Sequence, residues 1–216
     1  YPSMKKWMNY MQSRYMKDYI VNRDKYGDWC MPPESPELIH SQDPARITNG
    51  QLIATAYFYK LSRIMQEFAG LLDMKQDEIE YDRLASNISV AFQNKFYHKQ
   101  EKYYGNNTAT SNILPLAFGI TPEADAPSVF KNVEKVIEVD NKSHISTGVI
   151  GTSWLMRTLC SFGRGDLAYR IATNKTYPSW GYMVEKGATT IWELWNGDTA
   201  NPDMNSQNHV MLLGDL

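Results

Sequence analysis

The sequence predicts an all-α fold with its helices arranged as hairpins around a ring. Three observations carry this: roughly seven or eight stretches in which apolar residues recur at helical spacing, hardly any alternating strand pattern, and helical pairs of about 40 residues. Periodicity by itself fits any α-solenoid as well as a closed ring.

The elements follow in order. From Ser3, read as an N-cap, Met4, Trp7, Met8, Met11 and Tyr15 mark a core-facing helix up to about Ile20. Asn22 to Asn49 carries Gly27, Pro32, Pro33, Pro36 and Pro44 without a period and reads as a long connection. A long helix is expected from Asn49 to Leu72, with Ile53, Ala56, Tyr57, Lys60, Ile64 and Phe68 on one face. Asp77 to Lys95 repeats the pattern through Tyr81, Leu84, Ile88, Ala91 and Phe92, making an antiparallel pair.

A loop through Tyr103, Tyr104 and Gly105 leads to a shorter helix from Thr108 to Phe118. Thr121-Pro122-Glu123 opens the next, marked by Val129, Val133, Val136 and Ile137. Ser146 to Thr152 then delivers a helix with Trp154, Leu155, Thr158, Leu159 and Phe162 inward, which Gly163 and Gly165 end. After Tyr177 comes a long structured loop, and Ser206 begins a final helix running to Leu216.

Composition excludes several classes. A formal net charge of −2 with scattered Lys and Arg gives no footprint for nucleic acid. Cys30 and Cys160 make no disulfide framework and read as buried free thiols, and His40, His98, His144 and His209 form no ligand pattern, so no metal and no cofactor are expected. No apolar run approaches the roughly 20 residues that span a bilayer. The compartment stays open, with secreted or periplasmic placement favoured over cytoplasmic.

The chemistry concentrates in Tyr177 to His209, where Trp180, Trp192 and Trp195 accompany Glu193 in a segment broken by Pro178, Gly181, Gly187, Gly197 and Pro202. Indole faces stack on the apolar faces of sugar rings, and a carboxylate among them can take a proton from an attacking water. The same residues also fit a pair of core tryptophans flanking a solvated glutamate, and the residues alone leave both readings open.

The run GATTIWELWNG, preceded by TYPSWGYMVEK and followed by NSQNH, resembles the catalytic domain of the α-L-rhamnosidases of glycoside hydrolase family 78. The family's wording is GATTIWE followed by Arg and Trp, then a Ser-x-Asn-His segment. The resemblance implies that Glu193 is the general base of an inverting mechanism and that His209 lines the sugar site. It puts Trp29, in a Gly-Asp-Trp run, as an aromatic wall against the rhamnose, with Asp28, Trp192 and Trp195 as further substrate contacts. Leu194 stands where the family commonly has arginine, and Ala109 where it has glutamine, so the polar contacts of those two side chains are absent.

With the Ser146 to Thr152 run and the Gly-Asp-Leu-Ala-Tyr of 165–169, the resemblance covers nearly the whole chain. It selects an (α/α)6 toroid, a six-hairpin barrel, of which residues 1–216 are expected to be a part, with barrel helices upstream and a β-domain downstream. The expected substrate is a rhamnose-containing glycoside or polysaccharide. The general acid is expected in an Asp-Glu-Arg motif before Tyr1, since Asp28, Glu185, Asp198 and Asp203 do not match its position. The isolated chain is then expected to be nearly inactive and to self-associate. A non-catalytic carbohydrate-binding toroid, or another glycosidase or lyase on the same architecture, is the alternative.

Overall fold

Pro2, with no N–H to lose, opens the first helix, α1 (Pro2–Tyr15), in this computed structural model, which describes residues 1–32, 43, 45–204 and 206–209. Tyr1 rather than Ser3 is the cap. Only Met8 of α1 is buried, while Met4 and Trp7 remain 40% and 47% exposed over a groove shared with Leu61, Ile64 and Met65. The apolar stripe that predicted a core-facing helix is therefore real but mostly uncovered in this chain.

The helix also stops earlier than its pattern suggests. Asp18 and Tyr19, both at positive φ, make the two-residue turn of a small hairpin, β1 (Met16–Lys17) with β2 (Ile20–Val21), whose twist suits that turn.

Asn49 starts α2 (Gly50–Leu71) by accepting the N–H groups of Gln51 (2.8 Å) and Leu52 (3.3 Å). Asn49→Ala should cost about 1 kcal/mol, read as a lowered midpoint in urea unfolding, because both donors then lose their side-chain partner. The buried face of α2 is broader than one stripe: Leu52, Ile53, Ala56, Phe58, Tyr59, Met65 and Ala69 are all covered, whereas Phe68, expected inside, is 38% exposed. The reason is position. α2 packs against β2, α3 (Lys75–Phe96) and α4 (Ala109–Ala117), and so is enclosed on several sides.

The α3 residues Tyr81, Leu84, Ala85, Ile88, Phe92 and Phe96 close the hairpin with α2. A second small hairpin, β3 (Tyr97–His98) with β4 (Tyr103–Tyr104), leads to α4, whose first seven residues are all buried. Next come α5 (Ala126–Glu134), continued as a π-helical segment Lys135–Asp140, and α6 (Val149–Ser161). Gly163 at φ +79° ends α6. Gly165 does not; it opens a further helix, α7 (Gly165–Thr173), that glycine-as-stop reasoning missed. A short α8 (Trp180–Glu185) lies inside the aromatic segment, capped by Ser179.

Helices alternate between two layers. α4 packs on both α2 and α6, forming an inner layer, while α3, α5 and α7 each cover the inner helix before them. This is the all-α, (α/α)6 hairpin arrangement, with three consecutive hairpins among the described residues. The core falls into two clusters, one around α2 and α3 and one around α5 to α8, to both of which Leu116 and Trp154 contribute. Trp154 donates its indole N–H to the Tyr57 hydroxyl (2.9 Å), and Phe118 packs edge-on against both rings.

Residues 206–209 are not helical, and the rest of the expected final helix lies outside the described residues, as do Pro33, Pro36 and Pro44. Among the described residues no helix is long and apolar enough to cross a membrane.

Candidate active site

The N-termini of the inner helices gather at one end. Thr48, just before α2, shares a 2.7 Å hydrogen bond with Thr108, the cap of α4. Asp28 joins α4 to α6: its carboxylate accepts the Thr110 hydroxyl and the backbone N–H groups of Gly148 (2.9 Å) and Gly151 (3.0 Å). The positive ends of these helix dipoles thus face the same loops. Burial pushes the Asp28 carboxyl up, and the hydrogen bonds from Thr110, Gly151 and Gly148 oppose it.

The chain leaves Asp28 through Trp29, whose carbonyl accepts the Val149 N–H (2.7 Å). The Trp29 ring is 38% exposed and stands edge-on to Tyr26, with centroids 6.1 Å apart. Cys30, at φ +60°, turns the chain inward and buries its thiol. That thiol is pushed up to about 12, first by burial and then by the carboxylates of Glu193 and Asp28.

Glu193 is held by backbone hydrogen bonds between two irregular segments, 190–193 and 206–209. Its N–H donates to the Ser206 carbonyl (2.8 Å), the His209 N–H donates to the Ile191 carbonyl (2.7 Å), and the Thr190 hydroxyl donates to the Gln207 carbonyl. Trp192 and Leu194 are buried in the core, and Glu193 between them is partly exposed, with its side chain 23% exposed. One carboxylate oxygen accepts the Ser206 N–H (3.0 Å), and the other lies 4.0 Å from His209 Nε2.

Of the residues singled out from the sequence, the structure brings Glu193 and His209 together, and it holds Trp29 at the N-terminus of α6. It does not present Trp192, Trp195 or Asp28 to a ligand. Trp195 is 1% exposed and packs edge-on against Trp180 at 5.4 Å, while the Trp192 ring lies so close under Gly197 that a Cβ there would sit 2.6 Å from it. Both rings belong to the hydrophobic cluster around α5 to α8. Leu194, at the position where the resembling family has arginine, belongs to the same core.

Sequence reasoning missed Thr110 and gave Gly148 and Gly151 no task. A Cβ at Gly148 would fall 2.3 Å from the carbonyl oxygens of Asp28 and Trp29, and one at Gly151 would fall 2.1 Å from the Thr110 hydroxyl. Two glycines in the first turn of a helix were the available signal, since that spacing marks close approach of another backbone. Among the described residues no group of three or more His, Cys, Asp or Glu side chains could hold a metal ion.

The whole chain, residues 1–216, matches the family described as the bacterial alpha-L-rhamnosidase 6 hairpin glycosidase domain. It is 35% identical over 215 residues to an alpha-L-rhamnosidase of Formosa agariphila, covering 97% of this chain and 22% of that protein. An alpha-L-rhamnosidase of Alteromonas sp. (strain LOR) is 33% identical, with 97% and 23% covered. Among solved structures, an alpha-L-rhamnosidase from Dictyoglumus thermophilum superimposes with a TM-score of 0.87 at 36% identity, covering 98% of this chain and 23% of the other. The Streptomyces avermitilis alpha-L-rhamnosidase complexed with L-rhamnose gives 0.85 at 30% identity, with 98% and 19% covered. The chain thus spans only about a fifth of the length of these relatives. Its fold, its motifs and the full-length match agree: the chain belongs to the six-hairpin glycosidase domain family of bacterial α-L-rhamnosidases.

Proposed function

We propose that this chain supplies the base side of the catalytic centre of an inverting α-L-rhamnosidase acting on rhamnose-containing glycosides or polysaccharides. The observation that carries the reading is the setting of Glu193. Its partly exposed carboxylate is oriented by the Ser206 N–H and has His209 beside it. L-Rhamnose in the Streptomyces avermitilis relative supports the choice of sugar.

In this mechanism water attacks the anomeric carbon from the face opposite the leaving group, and its proton passes to a Glu193 oxygen. The glycosidic C–O bond breaks as a carboxylic acid protonates the departing oxygen. The two carboxyl groups stand roughly 6.5–9.5 Å apart to admit the water. The acid belongs, in this proposal, to the part of the relatives' length that the chain does not span. Asp28 does not fit the role because its carboxylate is buried and engaged by Thr110, Gly148 and Gly151. Asp198 takes the Tyr182 hydroxyl on both oxygens, and Glu185 is paired with Lys175.

The test is stereochemical. With an aryl α-L-rhamnoside and the full-length enzyme, proton NMR in the first minutes should show β-L-rhamnose ahead of mutarotation. α-L-Rhamnose as first product would mean a retaining path and would remove the general-base role of Glu193.

A further inference from the structure

We infer that Asp28 is a positioning residue for Trp29: a buried carboxylate that pins the Trp29 backbone across the N-terminus of α6, and thereby sets the indole against the sugar without touching the sugar itself. The inference rests on the reading of Trp29 as a wall of the rhamnose site.

An ionised carboxylate has about four acceptor positions. At Asp28 three of them take the Thr110 hydroxyl and the N–H groups of Gly148 and Gly151, and the residue is buried, so the carboxylate is engaged within the protein rather than offered to a sugar hydroxyl. The bonds are directed at the place where the chain must be fixed. One residue on, the Trp29 carbonyl takes the Val149 N–H, so the first turn of α6 grips two successive residues. Gly148 and Gly151 keep the space open: a side chain at Gly148 would strike the Asp28 and Trp29 carbonyls, and one at Gly151 would strike Thr110. The Trp29 peptide is therefore held from within while its ring reaches solvent at 38% exposure. Loss of this hold frees the indole to swing away from the sugar, which weakens ground-state and transition-state binding together.

The experiment uses the full-length enzyme with Asp28→Asn, Thr110→Val, Trp29→Ala and the two double variants that combine Trp29→Ala with each of the others. Affinity for free L-rhamnose is measured by calorimetry, and kcat and KM on an aryl α-L-rhamnoside. Asp28→Asn sets an amide donor against a backbone donor, while Thr110→Val removes one hydroxyl and keeps the shape, so the second variant decides if the first does not fold. Each should weaken L-rhamnose binding and raise KM about tenfold, with kcat falling by less than about threefold. In the Trp29→Ala background neither should add more than about twofold, because their effect passes through that ring. Additive losses, or a fall in kcat at unchanged KM, would overturn the inference, as would folded Asp28→Asn or Thr110→Val with parental affinity. Parental affinity in Trp29→Ala would instead bring down the reading of Trp29 as a sugar wall, and the inference with it.

Discussion

Glu193→Gln in the full-length enzyme is expected to unfold at the parental midpoint and to lose about 10²- to 10⁴-fold in kcat on an aryl α-L-rhamnoside. The amide keeps the shape of the side chain and one oxygen to accept the Ser206 N–H, so the pairing of 191–193 with 206–209 survives. What disappears is the capacity to take a proton from the attacking water. KM should change little, because in the proposed site the rhamnosyl group meets the Trp29 wall and His209 in both proteins. Stopped assays for kcat, with calorimetric L-rhamnose binding as control, separate chemistry from recognition. Turnover near the parental rate would show that another group is the base.

Trp195→Ala is expected to act on stability instead. The ring is 1% exposed and packs edge-on against Trp180 within the cluster built from α5 to α8, so truncation leaves a cavity of nearly a whole indole. Such changes cost about 3–5 kcal/mol. Trp195→Phe should recover much of that loss, since it refills most of the space and removes an indole N–H that is buried without a partner among the described residues. Urea unfolding of the two variants provides the comparison. A Trp195→Ala protein of parental stability with a raised KM would mean that the ring faces the sugar after all, contrary to its place in the core.

The contrast between Glu193 and Trp195 also marks how far the sequence could be read. The Glu193 motif was legible because many consecutive residues match a family pattern, and α2 with α3 because a capping Asn49 and long apolar periods agree. Which way Trp192 and Trp195 face was not legible. In an irregular segment the facing is decided by backbone pairing with residues a dozen or more positions away, and composition carries no record of that pairing. The same limit applies to α1, where spacing identifies an apolar face on Met4 and Trp7 but not whether anything covers it. For Asp28, the Gly-Asp-Trp resemblance implied sugar contact, whereas its partners Gly148 and Gly151 are 120 and 123 positions away.

The pairing that fixes Glu193 has an evolutionary corollary. Ile191, Glu193, Ser206 and His209 are fastened to one another across the base of an excursion that runs through Gly197, Asp198 and Pro202. Tying both stems makes the position of the base insensitive to the rim between them. Added length there costs only a logarithmic increment in closure entropy, about 0.6 kcal/mol per doubling. Residues 199 to 201, which are mostly exposed, can therefore be exchanged or lengthened while the Glu193 carboxylate stays where it is. The molecule separates what must not drift from what is free to diversify.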